Sequence, residues 1–72
     1  MSRSKVFSDW LLGQTARRDA LGDFARVTAN AIDAPTYAYR PRLWVKWLRT
    51  QWPDADAAAI VDSAFWQFAK EA

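Results

Sequence analysis

Arg42, Lys46 and Arg49 stand four and then three residues apart, the spacing that brings side chains onto one face of a helix. At 100° per residue the three cations fall within about 60° of one another. Leu43, Trp44, Trp47, Leu48 and Trp52 take the other side. Such a stripe can neutralise phosphates, and aromatic rings nearby can stack on bases. Arg40, just ahead of the stripe, extends it. The plainer use is a solvated helix face, which long cations cover well. It is the stronger of the two, because three or four cations neutralise few phosphates.

A second group is aromatic. Five Trp, four Phe and two Tyr are more rings than the helix faces of so short a chain obviously need. On the last helical segment Trp66 falls away from the apolar arc, near Asp62 and Lys70, while Tyr37 and Tyr39 lie in a polar loop. Exposed Trp and Tyr carry much of the energy of protein interfaces. With equal weight, Trp66 could pack beneath the tyrosine loop and complete the core. A third group, Arg17, Arg18, Asp19 and Asp23, offers an anion site at a helix start. The better account is local, with the two carboxylates already serving as cap and ion-pair partner.

Much chemistry is excluded by residue type. The chain has no Cys and no His, so thiol nucleophiles, imidazole bases, Ser-His-Asp relays and the usual zinc sites are out of reach. Asp54 and Asp56 sit at a helix start and Asp62 stands alone, so no carboxylate pair is placed for acid–base work. The expectation is a chain with no catalytic residue, metal, cofactor or small-molecule substrate. Ten Lys and Arg against eight Asp and Glu leave +2, a charge that solubility alone explains.

Four helical segments carry these residues. The first is expected over Ser4 to Leu12, with Ser4 as N-cap, Val6, Phe7, Trp10 and Leu11 on one face and Gly13 as the stop. The second, Ala20 to Ile32, has Asp19 as N-cap. Its apolar arc runs from Leu21 through Phe24, Ala25, Val27, Thr28 and Ala31 to Ile32, and Asp23, Arg26 and Asn30 lie opposite. Gly22, in the first turn, costs helix stability and so signals a close backbone approach. The third starts at Pro41, which suits a first helical position, and runs to about Gln51. Pro53 stops it, and Asp54 or Asp56 caps a fourth whose arc holds Ala57, Ile60, Val61, Ala64, Phe65 and Phe68. Residues 1–72 make one domain, and the longest apolar run, Ala57 to Val61, is far short of a membrane span. The expected setting is the cytoplasm, away from membranes.

Phe7, Trp10, Leu11 and Gln14, followed by Arg18, Asp19, Leu21, Gly22, Asp23, Phe24 and Ala25, resemble the YozE SAM-like family of small bacterial domains. Trp47-Leu48 and the Val61, Ala64, Phe65, Phe68 ending are similar to that family more loosely. Ala20 stands where the family often has proline, and Phe65 where it has tryptophan. The resemblance implies a compact SAM-like bundle and adds no catalytic residue. Read together, these features predict an all-α bundle of four to five short helices acting as a non-enzymatic binding module. The leading expectation is protein–protein interaction, self-association included, through Trp66, Tyr37 and Tyr39. The alternative is nucleic-acid binding through Arg40, Arg42, Lys46 and Arg49.

Overall fold

The computed structural model describes residues 7–38 and 40–71, and within them the chain forms four helices and no strand. They are α1 (Phe7–Leu12), α2 (Ala20–Ala29), α3 (Pro41–Gln51) and α4 (Ala57–Glu71). The expected cap at Ser4 and the inward placement of Val6 lie outside the described residues, as does Tyr39.

Local chemistry sets most of the boundaries. Asp19 caps α2 by accepting a hydrogen bond from the Gly22 amide at 3.0 Å, and Asp56 caps α4 by accepting one from Ala59 at 3.2 Å. Each satisfies an amide that the first turn leaves without a helical partner. Pro41 occupies the first turn of α3 as expected. Gly13 ends α1 without a left-handed backbone; the chain leaves through two tight turns, Gly13 N to Trp10 O and Gln14 N to Leu11 O.

Helix α2 stops three residues short of the expected Ile32. Asn30 is its C-cap, and the Asn30 side-chain amide donates back to the Arg26 carbonyl at 2.9 Å. That local bond competes with helix continuation. Ile32, placed on the apolar arc by periodicity, therefore lies past the helix end and is fully exposed.

The core is an aromatic cluster centred on Phe7. Its ring stacks on Phe65 of α4, with centroids 3.9 Å apart and planes 15° from parallel. Edge contacts reach Trp44 of α3 at 5.3 Å and Phe68 of α4 at 5.6 Å, and Phe24 of α2 lies 6.2 Å away. One ring on the shortest helix thus meets rings from all the others, in the offset and edge-on geometries that aromatic quadrupoles favour. Phe7, Leu11, Phe24, Trp44, Leu48 and Val61 are fully buried. Phe68, expected at the centre of the α4 arc, is only partly buried against this cluster. Helix α4 turns Ala57, Val61 and Ala64 inward, small side chains that let the α3 backbone come close, and α3 packs most extensively on α4.

One polar contact and one close backbone approach hold α1 and α2 in place. Trp10 Nε1 donates to Glu71 at 3.1 Å, tying the first helix to the end of the last. Gly22 brings α2 against the preceding loop so tightly that a Cβ there would meet the Arg17 carbonyl oxygen at 2.1 Å. The close approach expected of that glycine is present.

Candidate functional site

The segment between α2 and α3 is held by side-chain bonds rather than by regular structure. Ser8 Oγ donates to the Thr36 carbonyl at 3.1 Å, Trp44 Nε1 to the Ala38 carbonyl at 3.0 Å, and Trp47 Nε1 to the Asp33 carboxylate at 3.1 Å. Two indoles on α3 and one hydroxyl on α1 thus dock this loop across the bundle. Buried indole and backbone groups need such partners, and the bonds set the path of the loop.

That path leaves an open groove of about 390 Å³ between the loop and α3. The loop bank carries Asp33, Pro35 and Tyr37. The helix bank carries Leu43, Lys46, Trp47 and Thr50, spaced i, i+3, i+4 and i+7, the stripe with which a helix faces a neighbour. Tyr37 is 77% exposed and Leu43 42%. Periodicity puts Leu43 on the inward, apolar side of the helix with Trp47 and Leu48. Its position on the helix, close to the cationic side, sends it to the groove, and the interior is filled by Trp44, Trp47 and Leu48.

Arg40, Arg42, Lys46 and Arg49 are all exposed. Among the described residues the ion pairs are Arg17–Asp19 at 2.8 Å and Arg26–Asp23 at 2.5 Å, so none of the four cations is paired there. Helix α3 itself contains no acidic residue. Neither Asp54 nor Asp56 forms an ion pair with the stripe among the described residues. Lys46 belongs both to the stripe and to the groove, which joins two features that the sequence presents separately.

Trp66 is 64% exposed, which settles against its packing beneath the tyrosine loop. Lys70 Nζ lies over its ring, 4.8 Å from the centroid, a cation–π contact at the surface. Trp66 does not line the groove, so Trp66 and Tyr37 do not share that surface.

The Arg17 to Asp23 group is a structural clasp. Arg17 donates through Nε and Nη2 to both oxygens of Asp19. That bond, followed by the Gly22 amide, lowers the Asp19 carboxyl to about 2. Arg26, read from periodicity as an outward polar residue, reaches back across the α1–α2 loop. Its Nη1 donates to the Thr15 carbonyl at 2.6 Å and the Arg17 carbonyl at 2.8 Å, and its Nη2 to Asp23. No motif marks that role, because backbone carbonyls accept it. At the positive end of α2 the Asp19 carboxylate already accepts the Gly22 amide, and Arg17 and Arg26 are engaged by protein oxygens.

Among the described residues no group of three or more acidic residues converges as metal ligands do, and no helix is long and apolar enough to cross a membrane. No protein-family model, curated protein or solved structure matches this chain. The likeness of residues 7 to 25 to the YozE SAM-like pattern rests on those residues alone.

Proposed function

We propose that this chain is a non-enzymatic binding module of SAM-like kind that docks another protein in the groove between the α2–α3 loop and α3, in the cytoplasm. One observation carries the reading: Tyr37 and Leu43 stand exposed on opposite banks of a groove to which Trp47 also contributes. Aromatic and aliphatic anchors around a cleft are what a protein partner buries. The chain has no Cys or His to supply a thiol nucleophile or an imidazole base. Trp66 is a second exposed aromatic, on α4 and outside the groove.

Nucleic-acid binding is the second reading, favoured by Arg40, Arg42, Lys46 and Arg49, exposed and without an ion pair among the described residues. Affinity capture from nuclease-treated and untreated extract tests the two together. On the first reading, nuclease leaves the captured partner in place, and the pair Tyr37→Ala and Leu43→Ala loses it without changing the thermal melt. If capture depends on nucleic acid, falls steeply with salt and is lost on Arg42→Glu with Lys46→Glu, the second reading replaces the first. Loss on Trp66→Ala alone moves the interface to α4.

A further inference from the structure

We infer that the partner segment accepted by the groove is acidic and amphipathic, with apolar side chains on one side and carboxylates on the other; this rests on the docking role proposed above. The argument begins with how α3 is divided around its circumference. Trp44, Trp47 and Leu48 face the core. Next comes the groove stripe of Leu43, Lys46, Trp47 and Thr50. Beyond it lies the cationic stripe of Arg42, Lys46 and Arg49, centred about 80° further round at 100° per residue. A segment lying in the groove therefore has an apolar floor beneath it and a row of cations along the α3 side.

Charge decides what that segment carries. Helix α3 has three cations and no carboxylate, and none of the three is paired among the described residues. The carboxylate that lines the groove, Asp33, is on the loop bank and already accepts the Trp47 indole N–H. Carboxylates of an incoming chain are thus drawn to the α3 side, which also orients the chain across the groove. Complementary charge of this kind sets register and approach rate, with the apolar contacts holding the complex. Nucleic acid fits the surface less well. Its backbone offers nothing apolar to cover the exposed Leu43 and Tyr37, and three or four cations match few phosphates.

The test uses two synthetic peptides with Leu at the i, i+3, i+4 and i+7 positions, one with Glu at every other position and its twin with Lys there. A duplex DNA is the third probe. The amide resonances of Tyr37, Leu43 and Thr50 in the intact protein are followed during titration. The Glu peptide should shift them and bind at least about tenfold more tightly than its twin, the sum of a few exposed ion pairs. Arg42→Glu with Lys46→Glu, both exposed and harmless to folding, should reverse the preference. Leu43→Ala should weaken both peptides. If both peptides bind the groove equally, or the Lys twin binds better, the docking role stands and the acidic partner is overturned. If neither peptide moves the groove resonances, the docking role falls with it. If DNA shifts the same residues at concentrations where the Glu peptide does not, the surface serves phosphates and the inference is wrong.

Discussion

Asp19 serves two neighbours at once, accepting from the Gly22 amide and from the Arg17 guanidinium. Its carboxyl is held at about 2, against 3.8 for the unperturbed group. A carboxyl with a depressed folded value stabilises the fold fully above its unfolded value and loses that contribution as the pH falls through the folded one. Thermal melts should therefore show an acid loss between pH 3.8 and about 2 that Asp19→Asn flattens, since Asn still caps but does not titrate. Parallel pH curves for the two proteins would exclude it. The effect should shrink with added salt, because both partners are solvent-exposed. Beside it, Gly22→Ala opposes two effects. Alanine favours a helix over glycine by about 1 kcal/mol. The new Cβ would meet the Arg17 carbonyl oxygen at 2.1 Å, and that carbonyl is also held by Arg26. Overpacking against backbone costs about 1–3 kcal/mol, so the variant should be net destabilised, read as a lower urea midpoint at unchanged slope.

At the scale of elements, the feature that makes the groove is the docked α2–α3 loop. Trp47 keeps its ring in the core and uses its indole N–H to hold Asp33. Trp47→Phe keeps most of the apolar area and removes the donor, leaving the Asp33 end of the loop without that anchor. Hydrogen exchange of amides between residues 31 and 38 should speed up, while the amides of α3 and α4 keep their protection. Equal acceleration throughout would mean that the substitution damages the core rather than the loop. The same variant should weaken any ligand of the groove, whose banks are positioned by that bond.

The whole molecule depends on the ring of its shortest helix. Phe7 is fully buried and meets rings from α2, α3 and α4, whereas Phe68 is partly exposed at the edge of the same cluster. Phe7→Ala should cost about 3–5 kcal/mol. A chain of 72 residues has about 4–11 kcal/mol in total at typical values per residue. That variant should be largely unfolded or close to it, and Phe68→Ala should remain folded with a smaller loss of stability. Chemical denaturation followed by far-ultraviolet circular dichroism ranks the two. Equal losses would mean that Phe7 is not the hub.

Four helices, their order and most of their ends were readable from periodicity, proline and capping residues, because each depends on contacts within a few positions along the chain. Asp19, Pro41 and Asp56 act where local chemistry puts them, and Gly22 marks a close approach whose partner is five residues away. Exposure was readable only where one neighbour covers a helix. Leu43 belongs to the apolar side of α3 by sequence, yet it faces a groove, because the path of the loop decides how much of that side is covered. Ile32 has the right spacing for α2, but Asn30 turns the chain first. Arg26 clasps two carbonyls that no side-chain pattern announces. The basic stripe and the tyrosine loop are separate features along the chain. Their meeting at Lys46 and Tyr37 needed the fold, because it depends on two indole hydrogen bonds across the bundle.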